Sequence, residues 1–217
     1  MPALLEFEAV NLLEQSHIHC PPYRVATSPD EAAAAMENLG KPLVMKILSP
    51  DILHKSDVGG VKIGLKDADM IAKAYREMLA EIASKNPSAR LEGVILYPQV
   101  EDGLEVIIGV TRDISFGPVI MFGLGGIFVE VVKDIVFRAI PITEKDARQM
   151  ITEIKNAKVL NGWRGHKSVD LHLLADLLCK VSQLIMDHPE IEEMDLNPVR
   201  ILDNNQMVVL DAKIICR

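Results

Sequence analysis

Apolar residues recur along the chain at two different spacings, and each spacing predicts one kind of regular element. A spacing of three to four residues predicts helices over residues 3–16, 27–40, 67–86, 143–154 and 169–188. Shorter apolar runs between turn residues predict strands over residues 23–26, 43–48, 59–65, 92–100, 104–113, 118–126, 134–141, 191–202 and 207–215. The last two runs flank a polar turn and therefore predict a two-stranded hairpin.

The order of these elements predicts an α+β (mixed α/β) fold with two lobes. A strand–helix–strand unit comes first, and further strands, two helices and the hairpin follow. The boundary is expected near residues 97–102, at YPQVED. We therefore expect one lobe over residues 1–100 and a second lobe over residues 101–217.

Two of the predicted helices carry local signals for their ends. Thr27 or Ser28 is suited to cap the second helix, Pro29 fits its first turn, and Gly40 fits its end. Thr143 is suited to cap the fourth helix in the same way.

The composition is that of a folded globular protein and narrows the classes of function. Hydrophobic residues make up 49% and charged residues 25% of the chain, and the formal net charge is −8. This acidic balance argues against a broad nucleic-acid surface, although a local cationic pocket is compatible with it. The N-terminus lacks a basic start, and glycines and Glu130 interrupt the longest apolar run, so we expect neither a signal peptide nor a membrane span. The widely spaced Cys20, Cys179 and Cys216 predict free thiols in a reducing cytoplasm.

The loop HKSDVGG and the strand before it form the first candidate site. Lys46 lies within an apolar strand, where a lysine directed into a cleft binds phosphate as a point charge. His54 is able to act as acid, base or nucleophile, with Lys55 and Asp57 beside it to position it. The glycine pair lets backbone N–H groups approach a phosphate. The alternatives are a lysine on the solvent face of an edge strand and a solvated turn with a surface histidine.

The predicted hairpin at the end of the chain holds a candidate metal site. Asn197 and Asp211 face each other if its two strands pair, and such oxygen ligands suit Mg²⁺. Glu193 and Asp195 precede Asn197 on the same face. The alternative is a polar, solvated face of the hairpin.

Two further carboxylates interrupt apolar segments, Glu105 in LEVII and Glu130 in FVEVV. A carboxylate in such surroundings needs a partner. Candidate partners are nucleotide hydroxyls, Lys46, Lys133 and Arg138. The alternative is that both side chains point outward from an exposed strand.

Five segments in this order resemble one family of enzymes. These are VMKILSPDILHKSDVGGVKIGL, FGPVIMFGLGGIFVEVVKDIVFRAIPIT, LNGWRG, MDLNPVRI and LDAKI. Together they resemble the ATP-grasp (β) subunit of the ADP-forming acyl-CoA synthetases, the acetate–CoA ligases and their relatives. The resemblance covers nearly the whole chain. It implies an ATP-grasp fold, in which two α+β lobes hold ATP or ADP between them.

The resemblance also implies roles for individual residues. Nucleotide-binding positions are Lys46, Gly59, Gly60, Gln99, Val100, Glu101 and Glu105. Asn197 and Asp211 are implied to hold Mg²⁺. His54 matches the histidine of the HKSD motif, which in this family is thought to carry a phosphoryl group. Trp163 stands where relatives often have tyrosine, and Arg164 follows it.

The family's reaction converts acyl-CoA, ADP and phosphate into a carboxylic acid, CoA and ATP. The resemblance implies a partner α subunit that binds CoA, in an α₂β₂ heterotetramer, because the chain shows no CoA-binding region. In other members of the family the two parts are fused, so a separate subunit and one domain of a longer protein both stay open. Two other interpretations stay open: a succinyl-CoA synthetase-like or other ATP-grasp carboxylate ligase, and a regulatory ATP-binding module. The histidine of HKSD argues against the first, and the presence of Lys46, Asn197 and Asp211 argues against the second.

Overall fold

The secondary structure follows the predicted order of helices and strands. The structure is a computed structural model that describes residues 3–52, 54–126, 134–162 and 167–217. The helices are α1 (Glu6–Gln15), α2 (Pro29–Leu39), α3 (Ala68–Lys85), α4 (Glu144–Glu153) and α5 (Leu171–Asp187). The strands are β1 (Arg24–Ala26), β2 (Leu43–Leu48), β3 (Val61–Leu65), β4 (Gly93–Pro98), β5 (Leu104–Asp113), β6 (Gly117–Leu124), β7 (Ile135–Ala139), β8 (Ile191–Ile201), β9 (Met207–Val209) and β10 (Ala212–Cys216). Short 3₁₀ turns cover Ser56–Val58 and Ala157–Asn161.

The predicted caps form at the helix ends. The Ser28 side chain accepts a hydrogen bond from the Glu31 N–H at the start of α2, and Gly40 ends that helix with a φ of 75°. At α4, the Thr143 hydroxyl and the Asp146 carboxylate each bind the other residue's backbone N–H, which is a complete capping box.

The chain divides into two compact units by its contacts. The β1–β4 unit comprises Ala3–Glu8 and Pro21–Val100, and the β5–β10 unit includes Ala9–Cys20 and Glu101–Arg217. The sequence placed all of residues 1–100 in one lobe. Residues 9–20 instead group with the C-terminal residues, where the backbone N–H of Val209 donates to the carbonyl of His19.

The sheet of the β1–β4 unit has the order β1-β4-β2-β3, with every neighbouring pair antiparallel. Apolar side chains of β2 and β4 alternate between its two faces. One face carries Met45 and Ile47 and packs with α2 and α3 in the main core of this unit. The other face carries a smaller cluster formed by Leu48, Ile95 and Tyr97.

The described strands of the β5–β10 unit pair in the order β10-β8-β5-β6-β7, and β9 also pairs with β8. All of these pairs are antiparallel. The predicted hairpin is confirmed, since β9 and β10 both pair antiparallel with β8, but its second strand has a short break at residues 210–211. Pro198 of β8 lies opposite this break and has no N–H to donate, but its carbonyl accepts the N–H of Leu210 at 2.9 Å.

Candidate functional site

Lys46 is a buried cation in the middle of the first sheet. Its strand, β2, lies between β4 and β3, so the alternative of a lysine on an exposed edge strand is wrong. The residue is 7% exposed, and its Nζ lies 2.7 Å from the Glu6 Oε1. The ammonium also lies 5.3 Å from the centre of the Tyr97 ring. The lysine is therefore held by specific partners on the sheet face opposite the main core.

Glu6 is the centre of this cluster and was not among the residues predicted for the site. Its carboxylate is almost fully buried, and Oε1 accepts hydrogen bonds from the Lys46 Nζ and, at 2.9 Å, from the Tyr97 hydroxyl. The Lys55 Nζ lies 3.0 Å from the other oxygen, Oε2. A buried carboxylate is stable only with such partners. The available signal was a glutamate at the apolar start of α1, but its partners come from distant segments.

His54 is exposed and directly precedes Lys55. The segment after it turns through the 3₁₀ turn Ser56–Val58 and returns to β3. An exposed imidazole in a short loop is accessible to a phosphoryl donor.

The glycine pair shapes this loop for two different reasons. Gly59 has a φ of 76°, in the left-handed region that glycine adopts without strain. Gly60 leaves no room for a side chain, since a Cβ there would lie 2.6 Å from the Ile47 Cγ2 and 2.9 Å from the Lys55 carbonyl oxygen. Both N–H groups donate within the loop, Gly59 to the Ser56 carbonyl at 3.2 Å and Gly60 to the Lys55 carbonyl at 2.8 Å.

The predicted hinge residues lie where the chain passes from one unit to the other. Gln99 and Val100 belong to the β1–β4 unit and Glu101 to the β5–β10 unit. The Gln99 N–H donates to the Pro42 carbonyl, and its side-chain oxygen accepts from the Gly64 N–H at 3.1 Å.

Glu105 has a different partner from those expected. It pairs with Arg200, whose Nη2 lies 2.5 Å from its Oε1, and not with Lys46 or Arg138. Arg138 instead binds Glu153. Arg200 also donates to the carbonyl of Glu101 at 3.3 Å. Because β5 lies between β8 and β6, the alternative of an outward charge on an exposed strand is wrong for Glu105.

The two candidate metal ligands lie opposite each other in the second sheet. The Asn197 N–H donates to the Asp211 carbonyl at 3.1 Å, and the next pair in the register is Ala212 with Leu196. Glu193 and Asp195 lie on the same exposed side of β8 as Asn197, as their spacing predicted. The side-chain amide of Asn197 and the carboxylate of Asp211 are the kinds of oxygen ligand that Mg²⁺ prefers. Among the described residues, no three His, Cys, Asp or Glu side chains form a metal cluster.

A cavity of about 390 Å³ lies on this face of the β5–β10 sheet. Its walls are mostly apolar along β5, β6 and β7 and mostly polar along β8 and β10. The polar side chains are Thr111, Glu193, Asp195, Asn197 and Lys213, and the apolar ones include Ile107, Val119, Met121, Ile135 and Phe137. A volume of this size suits a small-molecule ligand.

The candidate residues therefore divide between the two units. The β1–β4 unit holds Lys46, His54, Gly59, Gly60, Gln99 and Val100. The β5–β10 unit holds Glu101, Glu105, Asn197 and Asp211. The remaining candidates, Glu130, Lys133, Trp163 and Arg164, lie outside the described residues. No described helix is long and apolar enough to cross a bilayer.

Comparison with known sequences identifies relatives along the whole chain. A family model described as an ATP-grasp domain matches residues 2–216. The β subunit of acetate–CoA ligase (ADP-forming) II from Pyrococcus furiosus is 46% identical over 217 residues, covering 99% of this chain and 92% of that protein. Acetate–CoA ligase (ADP-forming) I from Archaeoglobus fulgidus is 46% identical over 202 residues, covering 93% of this chain but only 29% of that longer protein.

Solved structures with the same fold come from Ca. Korarchaeum cryptofilum. Its acetyl-coenzyme A synthetase 1, in complex with coenzyme A and Ca-AMPCP, has a TM-score of 0.95 and 42% identity, covering 100% of this chain and 94% of that one. A structure with coenzyme A and Mg-AMPPCP has a TM-score of 0.84 and 40% identity, covering 99% and 93%. In that structure the phosphohistidine segment points towards the nucleotide binding site.

Proposed function

The chain belongs to the ATP-grasp domain family, with the β subunits of the ADP-forming acetate–CoA ligases, and from this premise we propose how its residues transfer a phosphoryl group. The matches confirm the resemblance inferred from the five sequence segments and the ATP-grasp fold it implied. The protein acts as the nucleotide-binding subunit of an acid–CoA ligase. It passes a phosphoryl group between ATP or ADP and a partner subunit.

The cluster around Lys46 is the observation that carries this proposal. Lys46 is buried in a central strand, and Lys55 directly follows His54. The carboxylate of Glu6 binds the ammonium groups of both lysines. Phosphoryl transfer depends mainly on positioning and on neutralising charge. Lys46 supplies the cation for the phosphates, and the turn at Gly59 and Gly60 covers them.

His54 is the phosphoryl carrier in this mechanism. The lone pair of one neutral imidazole nitrogen attacks the γ-phosphorus of ATP, a P–N bond forms, and the P–O bond to the leaving ADP breaks. In the reverse direction, ADP attacks phosphohistidine and regenerates ATP. The phosphohistidine segment of the Korarchaeum enzyme, which points towards its nucleotide site, supports this role.

Asn197 and Asp211 hold Mg²⁺ in the proposed site, with the nucleotide against the cavity of the β5–β10 sheet. Bound Mg²⁺ supplies neutralisation of the phosphate oxygens. The apolar walls suit a flat base, and the polar strand β8 suits the phosphate end. Gln99, Val100, Glu101 and Glu105 are the proposed contacts to the rest of the nucleotide.

A partner subunit is implied by the relatives, one of which is named a β subunit. We propose that this partner is a CoA-binding α subunit in an α₂β₂ heterotetramer, and that the complex works in the cytoplasm. Acyl phosphate forms on the partner, and His54 exchanges its phosphoryl group with that site.

Titration calorimetry with Mg²⁺·ADP tests the nucleotide site directly. Lys46→Met and Asp211→Asn are each expected to weaken binding by about tenfold or more, because each removes a charged contact. Asp203→Asn, in the exposed turn between β8 and β9, is the matched control and should bind like the wild type. Removing Mg²⁺ should weaken wild-type binding but have less effect on Asp211→Asn. Equal affinity in all variants contradicts the proposed site.

A further inference from the structure

We propose that Glu6 is a positioning residue that fastens the loop of residues 54–60, the His54 loop, to the strand that carries Lys46. Its two carboxylate oxygens bind different segments of the chain. Oε1 binds Lys46 of β2, and Oε2 pairs with Lys55 of the loop. The inference rests on the proposed role of His54 as phosphoryl carrier.

The carboxylate is built into a rigid setting. The Glu6 side chain is 1% exposed, and the Tyr97 hydroxyl donates to the same oxygen as Lys46 at 2.9 Å. Phe7, the next residue of α1, packs on the apolar cluster of this sheet face. Phe7 therefore holds the first turn of α1 against the sheet, and the Glu6 carboxylate anchors both lysines.

Lys55 is the residue through which the anchor reaches the loop. Its carbonyl accepts the Gly60 N–H at 2.8 Å, and the Gly60 carbonyl accepts the Ile47 N–H of β2 at 2.8 Å. Its side chain, which is 13% exposed, is directed to Glu6. Backbone hydrogen bonds therefore hold the end of the loop against β2, and the Lys55–Glu6 ion pair holds the residue next to His54.

The consequence is a coupling between the phosphate lysine and the histidine. Both depend on one carboxylate, so loss of Glu6 releases the loop and frees Lys46 together. Loss of Lys55 releases the loop and leaves the pair of Glu6 with Lys46 in place. This difference separates the proposal from a general effect on stability.

Hydrogen exchange at the amides of Gly59 and Gly60, followed in the full chain without nucleotide, tests the anchor. Glu6→Gln and Lys55→Met are each expected to speed exchange by about tenfold or more. The reason is that a locally opened loop loses the hydrogen bonds donated by both amide N–H groups. Glu8→Gln removes an exposed charge from the same turn of α1 and should stay within about twofold of the wild type. Lys55→Arg keeps the cation and should restore slow exchange.

A second readout separates positioning from nucleotide binding. Label from γ-labelled ATP should reach His54 about tenfold more slowly in Lys55→Met, while its affinity for Mg²⁺·ADP stays within about threefold. Should Glu6→Gln not fold, Lys55→Met decides alone, since Glu6 keeps its bond to Lys46. Exchange in Lys55→Met equal to that in Glu8→Gln overturns the anchor. A wild type that neither binds Mg²⁺·ADP nor takes label refutes the proposed function, while the exchange result still decides the role of Glu6.

Discussion

At the scale of single residues, carboxylates form ion pairs on both sides of His54 in the sequence. Glu6 pairs with Lys55 immediately after the histidine. Before it, Asp51 accepts hydrogen bonds from the Arg90 N–H, Nε and Nη2 at 2.8, 3.0 and 2.8 Å. The planar guanidinium fits the carboxylate in a bidentate manner, so the start of the segment is also fixed.

The Asp51–Arg90 pair predicts a stability that depends on pH. Hydrogen bonds from the Arg90 side chain and backbone lower the pKa of Asp51 from 3.8 to about 2. A carboxyl group whose folded pKa is depressed stabilises the fold above its unfolded pKa, and this contribution is lost as the pH falls towards the folded value. The free energy of unfolding should therefore differ between wild type and Asp51→Asn by a constant amount above about pH 5, and by less as the pH falls through 3.8.

Urea unfolding between about pH 3 and pH 7 measures this difference. Asp102→Asn, at an exposed position, is the control for removing a carboxylate without an arginine pair. A difference for Asp51→Asn that is independent of pH throughout this range contradicts the assigned pKa.

At the scale of helices and strands, elements with local signals were predicted correctly. Ser28, Gly40 and Thr143 act within one turn of their own helices. The helix ends are therefore determined by residues that are neighbours in the sequence. The break between β9 and β10 was not predicted. Pro198 in the opposite strand lacks the N–H that would pair there, and apolar residues on both sides of the break conceal it in the sequence.

The capping box of α4 supports a prediction at the same scale. Thr143→Ala removes a hydroxyl that accepts the Asp146 N–H and donates to its carboxylate, and is expected to lower the free energy of unfolding by about 1 kcal/mol. Thr152→Ala is the matched control, because that hydroxyl donates to helix carbonyls that already accept intrahelical bonds. Denaturant unfolding measures both, and equal losses would show that the cap does not stabilise the helix.

At the scale of the whole molecule, the fold was predictable but the pairing of charges was not. The motifs identified Lys46 and His54 as candidates because their own neighbours in sequence are distinctive. Glu6 bonds to residues that are 40 and 91 positions away, and Glu105 to one 95 positions away. Such contacts leave no periodic pattern, since they are determined by how strands are ordered in a sheet.

Phosphorylation of His54 is the central claim at this scale, and one labelling experiment tests it most directly. The purified chain is incubated with ATP labelled in the γ-phosphate and Mg²⁺, and wild type is compared with His54→Ala and with the exposed control His172→Ala. Phosphohistidine is labile to acid and stable to base, so such label should appear on the wild type and on His172→Ala but not on His54→Ala. Label retained on His54→Ala, or absent from a wild type that binds Mg²⁺·ATP, would contradict the carrier mechanism.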